Sequence, residues 1–160
     1  MSTEKNNAIS RRAVLAGAAV GGALLTSGGQ AAAGPAPGRP GRDYLPVTVP
    51  NGAKLPWKAV DGVKVFHMVA EEVDHEMAPG LKARCWGYNG RVHGPVIEAV
   101  EGDRVRIYVT NRLPAATTVH WHAVMLPNGM DGVGGLNQKA IPPGETFKYE
   151  FTLRQSGTAM

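Results

Sequence analysis

The stretch EGDRVRIYV, residues 101–109, decides the fold class. It begins with an acidic Gly-Asp turn and continues as an alternation of Val105, Ile107 and Val109 with charged and aromatic residues. Side chains on a β-strand point alternately to opposite faces of the sheet, so this period of two predicts a half-buried strand. We therefore expect a β-strand that starts just after the turn.

Two other stretches show the same alternation, VKVFHMVA at residues 63–70 and FKYEFTL at residues 147–153. Turn-forming sequences separate the runs: Asn89-Gly90, Pro127-Asn128-Gly129 and Pro142-Pro143-Gly144. No stretch after residue 33 shows the 3.6-residue period of an amphipathic helix. Short strands with regular turn signals predict an all-β sandwich or barrel.

Residues 1–33 have the features of an export signal. Arg11-Arg12 precedes an apolar, Gly/Ala-rich run that ends at Leu25, and small residues follow at 31–33. The apolar run has about 13 residues, fewer than the roughly 20 that span a bilayer, so we expect no stable membrane anchor. The arginine pair resembles a twin-arginine signal, and an ordinary secretory signal is the alternative. Both predict a protein exported to the periplasm or the outside of the cell.

Residues 34–44 (GPAPGRPGRDY) are rich in Pro and Gly, which predicts an extended or disordered linker before a domain at residues 45–160. The net charge is +4, with 17 basic and 13 acidic residues. Three of the basic residues and one acidic residue lie within residues 1–33, which leaves 14 and 12 in the remainder. No basic cluster remains there, so we expect no nucleic-acid partner. The single cysteine, Cys85, excludes an internal disulfide.

The best candidate for metal binding is the pair His120 and His122 in TVHWHAV, residues 118–124. This apolar, β-branched run predicts a strand, on which side chains two positions apart share a face and lie about 7 Å apart. Imidazole is a suitable ligand for zinc, copper, iron and nickel. By the spacing alone, two ordinary histidines on a half-exposed strand remain an equal alternative.

The other candidates are weaker. His67 lies within an alternating strand and is interpreted as structural. His75 belongs to the acidic run at residues 71–76, which is typical of a solvated loop or strand edge. His93 precedes Gly-Pro in a turn, and Cys85 is interpreted as a small buried residue.

Residues 87–160 resemble the N-terminal domain of multicopper oxidases. The motifs that carry the resemblance occur in the family's order: PVIEAVEGDRV at 95–105, VTNRL at 109–113, TVHWH at 118–122, Asp131-Gly132, Asn137-Gln138, IPPGET at 141–146 and QSGTAM at 155–160. The resemblance implies a cupredoxin-like Greek-key β-sandwich over residues 45–160. It also implies that the domain is truncated, with the sandwich incomplete at its C-terminal end and further cupredoxin domains missing.

The resemblance also implies roles for three residues. His120 matches a ligand of the type 2 copper, His122 matches a ligand of one of the paired type 3 coppers, and Asp131 matches a catalytic acid that helps to deliver protons. The type 1 copper site would lie outside this chain. The implied activity is one-electron oxidation of a phenolic or metal-ion reductant, coupled to reduction of O₂ to water at a trinuclear copper cluster. Ala123 departs from the family's usual Gly, and His93 from its usual Pro.

Three alternatives belong to other classes: a lone cupredoxin that carries electrons, a copper nitrite-reductase-like protein, and a zinc hydrolase. A blue-copper site needs two His, a Cys and usually an axial Met, and Cys85 lacks such neighbours in the sequence. A zinc hydrolase would need further Asp and His near the pair, and residues 123–126 supply none. Since the family uses four His-x-His pairs, the chain by itself is expected to be inactive.

Overall fold

The computed structural model describes residues 34–159, so the predicted export signal lies outside the described residues. The strands are β1 (Trp57–Val60), β2 (Val63–Ala78), β3 (Leu81–Tyr88), β4 (Arg104–Asn111) and β5 (Thr146–Thr152). Within residues 34–159, the only helical segment is a single 3₁₀ turn at Asn128–Met130. None of the helical structure described could cross a membrane. The predicted all-β class is confirmed.

The five strands form one sheet in which β1, β2, β4 and β5 are neighbours in that order. The 16-residue β2 pairs in parallel with β4 through its first half and antiparallel with β3 through its second half. The pairs β1–β2 and β4–β5 are antiparallel. The parallel pair requires a long crossover, because a hairpin can connect only antiparallel neighbours.

The alternation in the sequence gives the sheet one polar face and one apolar, buried face, which we call the dry face. Val105, Ile107 and Val109 of β4 are at most 2% exposed, and Tyr149 of β5 is fully buried. Phe66 of β2 joins them in the core. Full burial of each apolar side chain stabilises the fold by roughly 1.5–3 kcal/mol. The strands expected at residues 104–109 and 147–153 are therefore confirmed, to within two residues at their ends. The strand expected at residues 63–70 is also present, but it continues to Ala78 and so includes the acidic run at residues 71–76.

Irregular chain between β4 and β5 covers the dry face, and Asn111 fixes how this chain begins and ends. Its fully buried amide donates to the carbonyls of Ala115 and Ile141, each at 2.8 Å. Its side-chain oxygen accepts from the Leu113 N–H at 2.9 Å. All of the side-chain bonds of Asn111 are thus directed at the loop, a satisfied polar network that specifies one loop path.

The Pro/Gly segment at residues 34–44 lies against the sheet domain. Pro37 is buried, and the Gly38 N–H donates to Asp103 Oδ1 at 2.8 Å. Asp103 in turn forms an ion pair at 3.0 Å with Lys64, whose side chain is fully buried and lies over the Trp57 ring. The segment has no regular secondary structure at residues 34–39, and the buried ion pair gives it a defined attachment point.

Candidate metal centre

The prediction of a strand at residues 118–124 is wrong. Thr117 makes an isolated bridge to Ile141, and beyond it the chain turns. The His122 N–H donates to the His120 carbonyl at 3.2 Å, and the Val124 N–H donates to the Trp121 carbonyl at 3.3 Å. Ala123 has a φ of 61°, in the left-handed region that a strand does not use. Local composition favoured a strand, but these short-range bonds replace the ladder that a strand would need.

The turn nevertheless brings His120 and His122 together. Their ring centroids are 5.8 Å apart and their planes lie at 82°. Both side chains are exposed. The predicted proximity of the two imidazoles is therefore present, although it results from a turn and not from the pleat of a strand.

The backbone of Asp131 orients the His120 ring. His120 Nδ1 lies 2.8 Å from the Asp131 carbonyl oxygen and 3.6 Å from the Asp131 carboxylate oxygen Oδ2. A carbonyl oxygen can only accept, so Nδ1 of the neutral ring is the protonated nitrogen. Nε2 then keeps its lone pair for a metal ion. A hydrogen bond that fixes the second ring nitrogen in this way is typical of metal-binding histidines.

Gly132 allows the Asp131 backbone to approach the backbone of Val119 and His120 closely. A Cβ atom at Gly132 would lie 1.8 Å from the Val119 carbonyl oxygen, and the φ of Gly132 is +86°. Any other residue would therefore meet both a backbone clash and a strained conformation. The same approach lets the Trp121 N–H donate to the Asp131 carbonyl at 3.3 Å.

Aromatic side chains of β5 anchor the residue between the two histidines. The Trp121 ring packs edge-on against Tyr149, with centroids 5.4 Å apart, and against Phe151 at 5.9 Å. The Tyr149 hydroxyl accepts a hydrogen bond from the Val119 N–H at 3.2 Å. Burial raises the pKa of Tyr149 above its ordinary value, so this hydroxyl stays protonated at neutral pH. With Trp121 packed inward, the neighbouring imidazoles remain accessible.

Gln155 fixes the other side of the turn. Its amide nitrogen donates to the Ala123 carbonyl at 2.7 Å, and its side-chain oxygen accepts from the Met125 N–H at 2.8 Å. Gln155 lies just beyond β5, so one strand and its C-terminal extension hold the turn from two sides. The roles of Gln155, Tyr149 and Gly132 were not predicted from the sequence. Only the Asp-Gly dipeptide carried a local signal, that of a turn.

The donor set fits copper. Two imidazoles are available, with one nitrogen already oriented, and imidazole is among the ligands that copper prefers. Across residues 34–159, no group of three or more His, Cys, Asp or Glu side chains is arranged to hold a metal ion. His120 and His122 can therefore provide only part of a coordination shell.

The remaining candidates lie elsewhere on the sheet. His67 is exposed on β2, and its Nε2 lies 2.8 Å from Thr110 Oγ1, in agreement with a structural role. Cys85 is a free thiol on β3 and is half-buried, where full burial was expected. His75 and His93, which the sequence placed in unrelated segments, contact each other.

A family model for multicopper oxidases matches residues 69–160, more than half of the chain. Among curated relatives, copper resistance protein A of Pseudomonas syringae pv. tomato is 44% identical over 79 residues. Laccase-2 of Cryptococcus neoformans is 45% identical over 83 residues. Each match covers 49% of this chain, and only 13% and 14% of the two relatives.

Solved structures show the same likeness. A multicopper oxidase of Pseudomonas thermotolerans matches 58% of this chain with a TM-score of 0.57 and 38% identity. A multicopper oxidase of Campylobacter jejuni, described as a metallo-oxidase, matches 67% with a TM-score of 0.59 and 32% identity. The matched part is 23% and 22% of those chains. At this identity the likeness confirms the cupredoxin-like fold expected from the sequence.

Proposed function

Because this chain belongs to the multicopper oxidase family, we propose that it is the N-terminal copper-binding domain of an enzyme that reduces O₂ to water. The observation that carries the proposal is the pair His120 and His122, held by the core with one ring already oriented. The chain spans about 13% of the length of copper resistance protein A, which supports further cupredoxin domains in the complete protein. Those domains supply the remaining histidines and the type 1 copper.

Two exposed apolar side chains in the chain that carries the histidines support such a partner domain. Leu136 is 79% exposed and Met125 is 57% exposed, and both lie in the irregular chain between β4 and β5 that also carries the imidazoles. We propose that the missing cupredoxin domain packs here and completes the coordination of copper.

In that assembly His120 and His122 would help to hold copper, which would supply the one-electron chemistry that couples oxidation of a phenolic or metal-ion reductant to reduction of O₂. His120 would ligate the type 2 copper through Nε2, because Nδ1 is committed to the Asp131 carbonyl. His122 would ligate one of the type 3 pair. Trp121, packed against Tyr149, restrains both imidazoles and so reduces the entropy lost when metal binds.

Asp131 would act as the proton donor. Its carboxylate lies 3.6 Å from His120 Nδ1, and its side chain is 32% exposed, so it can exchange protons with solvent while it lies beside the site. Reduction of O₂ to water consumes protons as well as electrons. A titratable group held near the metal by its own backbone can supply them without being a ligand.

Replacement of His120 tests the proposal. In the complete protein, His120→Ala should remove the type 2 copper signal from the electron paramagnetic resonance spectrum and abolish oxygen uptake, while the blue type 1 colour persists. A missing ligand cannot be replaced by a distant group, so copper counting should show a loss of metal. His67→Ala is the matched control and should retain full copper. An unchanged type 2 signal in the His120 variant would refute the assignment.

We also propose export, by the twin-arginine route, to the periplasm or beyond. The support is the Arg11-Arg12 pair and the small residues near position 33. Changing both arginines to lysine should leave the precursor in the cytoplasm, as measured by cell fractionation and the size of the protein. Normal appearance of the processed protein outside the cytoplasm would contradict a twin-arginine route.

A further inference from the structure

A second pair of histidines meets on the sheet, in residues that the proposed oxidase function does not use. His75 is half-buried on β2, and His93 is exposed in the loop after β3. Their ring centroids are 5.9 Å apart and their planes lie at 87°. This geometry is close to that of His120 and His122, whose centroids are 5.8 Å apart at 82°.

The fold brings the two rings together through a tight turn. Asn89 and Gly90 both have positive φ, and the chain reverses so that Tyr88 and Arg91 form a bridge. The returning chain passes directly over Gly87, where a Cβ atom would lie 2.2 Å from the Arg91 carbonyl oxygen. Because Gly87 has no side chain, the backbone at Arg91 can cross β3 closely, and this places His93 next to His75.

We propose that His75 and His93 form a second copper-binding site, distinct in its residues from the pair at positions 120 and 122. Metal–imidazole bonds are about 2 Å long, so one ion can bridge two ring nitrogens that lie up to about 4 Å apart. Nitrogens lie on the ring perimeter, so rings with centroids 5.9 Å apart can place them at such a separation by small side-chain rotations. The exposure of His93 gives the ion a path from solvent.

The identity of the metal follows from the ligands. Two imidazoles alone impose no fixed coordination geometry, so such a site discriminates between metal ions by affinity. Among divalent ions of the first transition row, Cu²⁺ binds imidazole ligands most tightly. Cys85 lies on the same face of the hairpin, since it pairs with Val73 next to the His75–Ala83 pair. It is not part of a three-ligand group in the region that the structure covers, so water would complete the shell.

This site stands independently of the proposed oxidase function, and the test separates the two. The starting point is the full chain carrying His120→Ala and His122→Ala, which removes the competing pair. Titration with Cu²⁺, followed by the loss of histidine ring signals in the NMR spectrum, should show one ion per chain that broadens His75 and His93. Adding either His75→Ala or His93→Ala should raise the dissociation constant by more than about tenfold.

Two controls give the test its specificity. His67 is an exposed histidine on the same strand as His75, so adding His67→Ala should leave the dissociation constant unchanged. His93→Gln keeps a polar side chain of similar size at an exposed position, and circular dichroism should show an unaltered fold. If the starting variant binds no Cu²⁺, or binding survives the loss of His93, the proposal is wrong. Tighter binding of Zn²⁺ than of Cu²⁺ would overturn the choice of copper.

Discussion

Asp131 contacts His120 of the candidate metal centre through two different groups. Its backbone carbonyl accepts from His120 Nδ1 at 2.8 Å and fixes the tautomer of the ring. Its carboxylate, at 3.6 Å from the same nitrogen, is beyond good hydrogen-bond distance and is partly exposed to solvent. Since the backbone carbonyl and the carboxylate are separate groups, a substitution at this position can remove the carboxylate and keep the carbonyl contact to His120.

Asp131→Asn in the complete protein should therefore slow turnover while copper content stays near normal. Asparagine has the same shape and leaves the carbonyl contact to His120 in place, but it cannot deliver a proton. The measurements are oxygen uptake across a range of pH and copper counting. A variant with the parent's rate and pH profile would remove Asp131 from the mechanism, and a variant that loses copper would assign it a structural role.

The turn around the histidines is held by elements that are distant in the sequence. β5 provides Tyr149 under Trp121, and Gln155 beyond β5 binds the chain on the far side of His122. From the other direction, the chain at Asp131-Gly132 passes against the Val119 carbonyl. The site thus depends on contact between backbone segments as much as on its imidazoles.

Gly132→Ala tests this close packing. The added Cβ would lie 1.8 Å from the Val119 carbonyl oxygen, and φ is +86°, so the variant should lower the free energy of unfolding by more than about 2 kcal/mol. It should also weaken metal binding at His120, because the Asp131 carbonyl must move. Chemical denaturation and copper titration are the measurements.

Gly129→Ala is the matched control for that substitution. Gly129 lies three residues away, has no positive φ, and has no neighbouring atom within 4 Å of the position that a Cβ would take. We expect its unfolding free energy to change by less than about 1 kcal/mol. Equal stability of the two variants would show that the 118–122 and 131–132 segments do not constrain each other.

The sheet as a unit has one polar face and one face covered by irregular chain that carries the imidazoles. This arrangement brings two candidate copper ligands together, and in the described range no group of three or more possible ligands is found. The sequence contains one His-x-His pair, and Cys85 is not grouped with two histidines. Among residues 34–159, the structure therefore groups the ligands of neither a trinuclear cluster nor a blue-copper site.

The purified chain with added copper should therefore show no blue charge-transfer band and no oxygen consumption with phenolic or cuprous reductants. Copper should bind weakly, because two imidazoles leave most of the coordination shell to water. Absorbance spectroscopy and an oxygen electrode test this, with free Cu²⁺ as the background. Copper-dependent oxygen uptake above that background would contradict the view that further domains are required.

The local sequence pattern was enough to predict much of the sheet. The alternation in β4 and β5 predicted which side chains are buried, because a period of two is a property of successive residues and needs no knowledge of the partner strand. The histidine pair was also predicted, since the two residues are only two positions apart. The resemblance to multicopper oxidases supplied the family, which the comparisons confirm.

Tertiary structure decided the features that the local sequence pattern could not predict. The apolar, β-branched run 118–124 predicted a strand, but the left-handed Ala123 and the approach of Gly132 make it a turn. His75 and His93 were separate, unpromising candidates until the hairpin and the bare backbone of Gly87 brought their rings together. In both cases the cause is a contact between separate segments of the chain. At residues 118–124 the free energy of that contact outweighs the local preference for β structure.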